Sequence, residues 1–342
     1  MGIRHLNRFF KDNASDAIKF ISISELSDKK VAVDISIYIY KYASDGNLIE
    51  NIYLMLAVFR YYNVIPIFIF DGKPPAEKKE LLIKRREDRK EAEDEYNKLK
   101  TVLITNKNMD EIEKQELISN MDMLKRKFVH ISKIDIENVK KLIRAYGATY
   151  YDAPGEADEL CALLAIKGKV WACLSEDMDM FVYGCPRVVR YLSLLNHTVV
   201  LYDMKNILEN LSMTQRELRE ICILSGTDYN SLHDDTKNIP TLDATLKQFN
   251  KYRKDKTNDK TNSAFYDWLL EKTDYIKDYN MLLKIYDMFD VNKNHYNVKV
   301  FENIKIINGP IQKSDIYDIL KTDGFIFPVK KIKYGIKTCE LV

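Results

Sequence analysis

The sequence predicts an α/β protein whose mostly parallel, twisted central sheet is covered by helices on both faces. Two apolar stretches, 29–42 and 64–75, are rich in β-branched and aromatic residues, which is typical of buried strands. Charged segments with helical periodicity, 78–99 and 108–128, separate these strands from the later ones. Strands that alternate with helices favour a parallel sheet with both faces buried.

Each element in the first half has its own local signals. The first strand runs toward Asp34 and continues into a helix, and the second is stopped by Asp71-Gly72 and the prolines that follow. Residues 101–108 are predicted to form a loop between the two charged helices. The segment 132–165 has the pattern of a helix, a strand, a turn and a second helix.

The second half of the chain begins with short strands and then becomes helical. Three further strands are predicted, at 169–175, 187–192 and 197–203. From about residue 212 the pattern is mainly helical, and the polar, charged stretch 251–263 is predicted to be an exposed linker or loop. The last 70 or so residues are weakly patterned, and the sequence assigns them no role.

Composition sets limits on the class of protein. The 342 residues carry a formal net charge of only +2, so affinity for nucleic acid has to come from local basic patches. The longest apolar stretches are too short to span a bilayer, and the N-terminal segment has no signal-peptide core. The five cysteines form no CxxC pair, which predicts reduced thiols in an intracellular protein.

Acidic residues recur where the predicted strands end or in the turns that follow. In parallel α/β sheets, ligands bind at the carboxyl ends of the strands. Any one of these acids has an ordinary alternative role as a helix cap, a turn residue or a partner of a helix dipole. Seven carboxylates at one sheet edge, however, need cations to offset their repulsion. The set is Asp34, Asp71, Glu156, Asp158, Asp177, Asp179 and Asp228.

Oxygen-rich sites of this kind suit hard divalent ions such as Mg²⁺. Two such ions about 4 Å apart are a common arrangement for phosphodiester hydrolysis. In an extended segment alternate residues point the same way, so Asp177 and Asp179 are predicted to face one site, with Glu176 pointing elsewhere. Glu156 and Asp158 lie about 200° apart on a helix and share that site only if the first helical turn is tilted toward it.

The segment after Asp71 is strongly basic. From Lys73 to Lys90 it holds eight Lys or Arg residues against four Asp or Glu, which is also common on solvated helices with i,i+4 pairs. Lys78, Arg85 and Arg89 share one helical face and are predicted to contact phosphate. Tyr40, just beyond Asp34, is a candidate to stack on a base, although periodicity alone favours a core position.

Six stretches together resemble the flap endonuclease family of structure-specific 5′ nucleases. They occur in the family's order, over residues 2 to 230, and all seven acids have counterparts. The stretches are "MGIRHL", "VAVDISIYIYKY", "FDGKPPAEKKELLIKRREDRKEA", "YYDAPGEADELCALLA", "SEDMDMFVYG" and "LSGTDY". The resemblance implies a 5′-nuclease, or PIN-like, fold with a helical arch inserted at 78–130 and a mainly helical C-terminal region.

The resemblance also implies roles for individual residues. Two Mg²⁺ ions are expected, replaceable by Mn²⁺, with Asp34, Asp71, Glu156 and Asp158 at the first and Asp177, Asp179 and Asp228 at the second. Lys78 and Arg85 match the cations that contact the scissile phosphate, and Tyr40 matches an aromatic residue that stacks on the neighbouring base. Gly2 is expected near the DNA, and Arg89 on the basic face of the arch.

Several features depart from the family pattern. Asp158 stands where Glu is common, so a ligand one methylene shorter reaches its metal through water. Asn238-Ile239-Pro240 replaces a glycine-rich turn that grips duplex phosphates around a monovalent cation, and Pro240 has no N–H to donate. Duplex contact would then depend on Lys237 and Lys247, with a weaker effect of potassium. No sliding-clamp motif is found at the C-terminus. Such losses occur in relatives from large DNA viruses, and the Lys-, Asn-, Ile- and Tyr-rich composition fits that origin.

These observations predict a monomeric, Mg²⁺-dependent nuclease that cuts flapped or branched DNA inside the cell, in the nucleus or at a viral cytoplasmic replication site. The alternatives are a Holliday-junction resolvase or 5′ exonuclease of the same superfamily, a non-catalytic junction-binding protein, and a small-molecule phosphatase. The predicted regions are 1–99 (N-terminal nuclease), 78–130 (arch), 131–230 (internal nuclease) and 231–342 (helical, DNA-binding and C-terminal).

Overall fold

The computed structural model describes residues 3–105, 111–230, 240–259, 264–291 and 304–327. Within them, seven strands form one sheet in the order β1-β7-β6-β5-β2-β3-β4. The strands are β1 (Ile18–Ser22), β2 (Lys30–Asp34), β3 (Ile65–Phe70), β4 (Thr149–Asp152), β5 (Ala172–Leu174), β6 (Arg187–Ser193) and β7 (Thr198–Asp203). The contiguous set from β6 to β4 is parallel, while β7 and β1 are added antiparallel at one edge.

Helices pack on both faces of this sheet, so the predicted fold class is confirmed. In the first half they are α1 (Leu6–Asn13), α2 (Ile35–Ser44), α3 (Leu48–Tyr61), α4 (Lys79–Thr105), α5 (Glu111–Lys127), α6 (Lys133–Ala145) and α7 (Ala157–Ile166). In the second half they are α8 (Asp179–Tyr183), α9 (Met204–Leu211), α10 (Gln215–Leu224), α11 (Leu242–Asp259), α12 (Phe265–Lys272), α13 (Tyr279–Met288) and α14 (Lys313–Thr322). No described helix is long and apolar enough to cross a membrane.

The central strand β2 shows why the sheet is buried on both sides. Val31 and Val33 belong to one apolar cluster, whereas Ala32 between them belongs to the cluster on the opposite face. This alternation follows from the period of two along a strand. Full burial of a side chain such as Phe68 contributes roughly 1.5–3 kcal/mol, so the two clusters hold the strand ends in fixed positions.

Two predictions about elements need correction, and one strand was missed. Residues 101–105 are the end of α4, so the predicted loop at 101–108 is wrong there, and the rest of that stretch lies outside the described residues. The predicted linker or loop at 251–263 is wrong over residues 251–259, which belong to helix α11 and include the buried Tyr252. Residues 260–263 lie outside the described residues. Edge strand β1, whose Phe20 is 74% exposed, was not predicted at all, because its pattern lacks a buried apolar run.

The helices α4 and α5, which we call the arch, rise from the sheet edge where β3 ends. Ala92 is the one buried residue of α4 among its described positions, and the arch helices pack beside each other. The Tyr96 ring of α4 meets the Phe128 ring, just after α5, edge to face with centroids 5.3 Å apart. A long, charged helix with so little burial depends on its partner helix for its orientation.

Part of the C-terminal region packs back on the core built around the sheet. Gly309 N–H donates to Gly147 O at 2.7 Å, and Arg60 donates to Gly309 O at 2.8 Å. Gly147 has φ +72, and a Cβ there would lie 2.5 Å from the Gly309 carbonyl oxygen, so this crossing requires glycine. Beyond it, α14 packs on α6. Residues 304–327 therefore form a strap that packs against α6 and the turn before β4.

Candidate active site

The carboxyl ends of three adjacent parallel strands bring acids together. Asp34 ends β2, Asp71 directly follows β3, and Asp177 and Asp179 follow β5. Since β2 pairs with both β3 and β5, these carboxylates share one sheet edge. Three more acids join them from the start of α7 and the turn after α10. We call the whole set the acidic floor: Asp34, Asp71, Glu156, Asp158, Asp177, Asp179 and Asp228.

Asp34 lies at the centre of the acidic floor. It is 5% exposed, and Ser175 Oγ donates a 3.0 Å hydrogen bond to its Oδ2. Burial, together with the charges of Asp71 and Asp177, raises the pKa of Asp34 from 3.8 to about 8, although the Ser175 hydrogen bond opposes the shift. A carboxylate in this position has a strong need for a cation.

The segment after β5 is a compact turn. Asp177 N–H donates to Ser175 Oγ at 3.1 Å, and Asp179 N–H donates to Asp177 Oδ1 at 3.0 Å as α8 begins. The two acids therefore meet through a turn, and the extended alternation expected from the sequence is wrong. Met178 is buried, and Glu176 points away, accepting a hydrogen bond from Tyr191 N–H at 2.7 Å.

Asp179 is the most buried acid of the floor, at 1% exposed. Among the described residues its Oδ1 has no hydrogen-bond partner. Burial, followed by the charges of Asp177 and Asp228, raises the pKa of Asp179 well above its ordinary value. An orphaned, buried carboxylate oxygen is costly for the protein unless a cation or a proton satisfies it.

Glu156 and Asp158 are brought together by the start of α7. Glu156 is the N-cap residue, with extended backbone angles (φ −81, ψ 146), so the 200° helical separation does not apply to this pair. Ala157 N–H donates to Asp71 Oδ1 at 2.8 Å, which ties the helix to the end of β3. Burial and the Glu156 charge raise the pKa of the Asp158 carboxyl.

Two cations from the base of the arch reach the acidic floor. Lys78 Nζ lies 2.8 Å from the Glu156 carboxylate, and an Arg85 Nη lies 2.9 Å from Asp228 Oδ2. Lys78 is only 7% exposed. Burial would lower its pKa, but the charges of Asp158 and Glu156 outweigh that effect and raise it, so the ammonium stays protonated.

Tyr40 and Arg89 meet at the mouth of the site. Tyr40 is 45% exposed, so the core position favoured by periodicity is wrong. The Arg89 guanidinium lies 5.4 Å from the centroid of the Tyr40 ring, an arrangement worth roughly 0.5–1 kcal/mol when exposed. Next to them a basic cleft of about 870 Å³ separates the end of α2 from the arch. Its charged lining consists of the basic residues Arg86, Arg89, Lys90, Lys125 and Arg126 and the acids Asp45, Glu93 and Asp122.

The remaining predicted DNA contacts are placed only in part. Lys247 is exposed on α11, and Pro240 lies two residues before that helix begins at Leu242. Gly2, Lys237 and the Asn238-Ile239 pair lie outside the described residues, so their roles stay predictions. The four described cysteines are buried and free, as the reduced-thiol prediction requires, and Cys339 lies outside the description.

Sequence reasoning missed two residues that touch the acidic floor. Ser175 orders both Asp34 and Asp177, and Tyr229 OH donates to Glu156 Oε2 at 2.6 Å. Burial and the Glu156 charge raise the pKa of Tyr229, which keeps this hydroxyl protonated as the donor. Each is adjacent to, or two residues from, an acid of the set, and that proximity was the only available signal.

The donor set of the acidic floor fits hard divalent cations. Every candidate ligand is a carboxylate oxygen. Asp179 Oδ1 has no hydrogen-bond partner among the described residues, and the pKa values of Asp34 and Asp158 are raised. Both observations indicate that a bound cation would stabilise these carboxylates. In the described ranges no group of three or more His, Cys, Asp or Glu side chains is arranged so that it could hold a metal ion. Lys78 and Arg85 instead pair with Glu156 and Asp228.

The fold and the acidic floor define the class of protein to which the chain belongs. Residues 1–92 match the XPG N-terminal domain and residues 147–228 match the XPG I-region. The chain belongs to the XPG family, and the resemblance drawn from its sequence is confirmed.

The curated relatives are flap endonucleases. Flap endonuclease 1 of Xenopus tropicalis is 32% identical over 247 residues, which cover 67% of this chain and 61% of that protein. Flap endonuclease 1 of Ajellomyces capsulatus (strain NAm1 / WU24) is also 32% identical over 247 residues, covering 67% of this chain and 59% of that protein. The chain thus matches about three fifths of the length of these relatives.

Solved structures share the fold at lower sequence identity. The catalytic core of Rad2 in complex with DNA substrate has a TM-score of 0.62 at 20% identity, covering 94% of this chain and 95% of that chain. Human GEN1 in complex with Holliday junction DNA has a TM-score of 0.56 at 17% identity, covering 94% of this chain and 73% of that chain. These neighbours establish a common architecture.

Proposed function

We propose that the protein is a Mg²⁺-dependent, structure-specific 5′ nuclease. It hydrolyses DNA near a junction between single strand and duplex and leaves a 5′-phosphate. The observation that carries the proposal is the meeting of seven acids at one sheet edge with Lys78 and Arg85 of the arch base. A binding protein would gain nothing from placing so many carboxylates where a DNA phosphate has to lie.

The acidic floor would hold two Mg²⁺ ions, with Mn²⁺ as a substitute. Asp34, Asp71, Glu156 and Asp158 would surround one ion, and the other would lie among the remaining acids of the floor, Asp177, Asp179 and Asp228. Such ions, when bound, activate water and neutralise charge that develops on the phosphate. The short side chain of Asp158 is suited to contact through a water molecule.

The protein's own cations complete the site. Lys78 is buried and protonated, so its charge acts in a poorly solvated environment where electrostatic interactions are strong. Arg85 enters from the same helix face and offers planar donors to a second phosphate oxygen. Both residues would exchange a carboxylate partner for the scissile phosphate when substrate binds, so they favour the more highly charged transition state.

Recognition of the DNA would rest on shape and charge. Tyr40, exposed beside Arg89, is placed to stack on the base next to the cut, and the basic cleft beside the arch suits a single strand. Lys247 on α11, together with Lys237 and Gly2, would contact the duplex. Since these contacts go to phosphates, affinity should fall steeply with salt and depend little on sequence.

The regions follow from this assignment. We propose 1–99 and 131–230 as the two nuclease segments, 78–130 as the arch, and 231–342 as the helical C-terminal region that binds duplex. Flapped or branched DNA is the proposed partner, and the protein is proposed to act as a monomer. Its proposed place is inside the cell, in the nucleus or at a viral replication site in the cytoplasm.

Cleavage of a 5′-labelled substrate panel tests the proposal. The panel contains a flap, a nicked duplex, a blunt duplex and a four-way junction, each with Mg²⁺ and with EDTA. Asp179→Asn should abolish cleavage, and Glu209→Gln, at an exposed acid of α9, serves as the matched control. Metal-dependent release of a short 5′ fragment from the flap supports the proposal.

Other outcomes of the panel point to the alternatives. Symmetric cuts in the four-way junction would identify a resolvase, and stepwise loss of nucleotides from the blunt duplex would identify a 5′ exonuclease. Tight junction binding without any cleavage would leave a non-catalytic binding protein. Hydrolysis of a small phosphomonoester with no cutting of DNA would identify a phosphatase, which the long basic face of α4 argues against.

A further inference from the structure

Tyr229 joins three parts of the molecule that are distant in sequence. Its hydroxyl donates to Glu156 Oε2 at 2.6 Å, at the start of α7. Its ring centroid lies 4.9 Å from Lys78 Nζ, at the base of the arch. The same ring meets Phe289, just after α13, edge to face at 5.4 Å. Tyr229 is 9% exposed, so these contacts are shielded from water.

The backbone around Tyr229 is fixed by its own hydrogen bonds. Thr227 N–H donates to Asn230 Oδ1 at 2.6 Å, and the Thr227 hydroxyl donates to the same oxygen at 2.9 Å. Asn230 Nδ2 in turn donates to Ile223 O at 2.8 Å, which anchors the turn to the end of α10. Tyr229 therefore stands on a rigid turn, with Phe289 behind it.

Tyr229 contacts two groups with different roles in the proposed reaction. Glu156 belongs to the acidic floor, and its orientation decides whether its oxygens can reach a cation. Lys78 Nζ lies 2.8 Å from the same carboxylate and has to remain near the site when it exchanges Glu156 for phosphate. A ring face beneath the ammonium keeps it there, because the cation–π attraction does not depend on the carboxylate.

We propose that Tyr229 is a positioning residue that holds the Glu156 carboxylate through its hydroxyl and the Lys78 ammonium through its ring. The inference rests on the proposed function, since it assigns separate duties within that site. The hydroxyl governs metal affinity, as outer partners of ligating carboxylates generally do. The ring governs the transition-state contribution of Lys78.

Two substitutions separate these duties. Tyr229→Phe removes the hydroxyl and keeps the ring, whereas Tyr229→Leu removes both. Tyr229→Phe should weaken Mn²⁺ binding about tenfold, measured by electron paramagnetic resonance without DNA, and leave the single-turnover rate at saturating metal within about twofold. Tyr229→Leu should weaken Mn²⁺ binding equally and also lower that rate about tenfold. Tyr266→Phe, which removes a buried hydroxyl bonded to Glu220 O, should change neither quantity.

A double variant tests whether the ring acts through Lys78. In a Lys78→Ala background, Tyr229→Leu should cause no further loss of single-turnover rate at saturating metal. Independent losses that multiply, or unchanged Mn²⁺ affinity in Tyr229→Phe, would overturn the inference.

The Mn²⁺ measurement also separates this inference from the proposed function. Weakened Mn²⁺ binding in Tyr229→Phe, in a protein that cuts no DNA, would support the positioning of Glu156 and reject the nuclease. A wild-type protein that binds no Mn²⁺ at the acidic floor would overturn both. Thermal unfolding of each variant shows whether a loss comes from a folding defect, and the Phe variant, which keeps the ring packed on Phe289, guards against that outcome.

Discussion

The acidic floor and the arch are neighbours that differ in burial: the floor lies in the packed core, whereas the arch is largely exposed to solvent. Four floor residues lie at or just after the ends of packed parallel strands, and the other three come from the start of α7 and the turn after α10. Asp34 and Asp179 are only 5% and 1% exposed. The arch is a long, solvated helix pair, and among the described residues Lys78, just before α4, and Arg85 reach inward at its base. The sheet topology thus fixes the acids that would carry the chemistry. The basic residues that would receive a variable DNA strand lie instead on the solvated arch.

The largest expected effect comes from the most buried acid of the floor. Asp179→Asn keeps the shape of the side chain and removes its charge, so it should lower the turnover of flap cleavage by about 10³-fold or more. Flap affinity, measured in Ca²⁺ by fluorescence anisotropy, should stay within about threefold. Substantial cleavage by this variant would remove Asp179 from the metal centre.

The next effect tests the base of the arch. Lys78→Ala should lower turnover about 10²-fold with little change in flap affinity, because the additional negative charge appears only in the transition state. Lys78→Arg is the matched control and should retain part of the rate. Equal losses of turnover and affinity would show that Lys78 contributes to DNA binding and not specifically to the transition state.

Stability of the metal-free protein offers a test without DNA. The pKa of Asp34 is about 8 in the folded protein and 3.8 when the side chain is free of its surroundings, so the folded state holds an extra proton between these values. Stability should therefore fall as pH rises from about 4 to 8, and Asp34→Asn should flatten this slope. At pH 8 without metal, the Asp34→Asn variant should melt a few degrees higher than the wild type.

Saturating Mg²⁺ should reverse that order, because the metal stabilises only the protein that keeps the carboxylate. Scanning calorimetry at pH 5 and pH 8, with and without Mg²⁺, gives all four values. If the melting temperature of the wild type in EDTA does not change with pH, the raised pKa assigned to the buried Asp34 is wrong.

On the arch the effects should be smaller and depend on salt. Arg89→Gln should weaken flap binding about threefold to tenfold and reduce the salt slope by about one, because one phosphate contact is lost. Turnover at saturating substrate should hardly change. Binding of the flap by Arg89→Gln with an unchanged salt slope would show that Arg89 only supports Tyr40.

The smallest expected effect lies in the turn just before α4, where it meets the C-terminal region. Glu77 Oε1 lies 3.0 Å from Lys284 Nζ of α13, and Lys284 is largely exposed. Such pairs contribute about 0–1 kcal/mol, so Glu77→Lys should lower turnover no more than about fivefold. Adding Lys284→Glu should restore it. Failure of the double reversal to recover activity would mean that this contact does not orient the arch.

The two regions also differ in what the sequence could predict. Apolar runs that end in acids pointed to Asp34, Asp71, Asp177 and Asp179, because strand ends in a parallel sheet meet at one edge, whereas the other three acids were matched through the family resemblance. The local geometry was beyond reach: the turn that joins Asp177 to Asp179 and the N-cap position of Glu156 depend on backbone angles set by packing. At the base of the arch, Lys78 and Arg85, which the spacing had put on one face, both reach the acidic floor. On α2, periodicity alone assigned Tyr40 to the core, although it is exposed, since exposure depends on tertiary neighbours.

Direct observation of metal in the acidic floor tests the central claim. Crystals of the protein grown with Mn²⁺ and measured at its absorption edge would locate each ion by anomalous scattering. The account predicts two Mn²⁺ ions about 4 Å apart, one beside Asp34 and Asp158 and one beside Asp177 and Asp179. The crystals should be grown at metal concentrations that support cleavage. Mn²⁺ density only outside the acidic floor would contradict the account, if Glu156 and Asp228 then still pair only with Lys78 and Arg85.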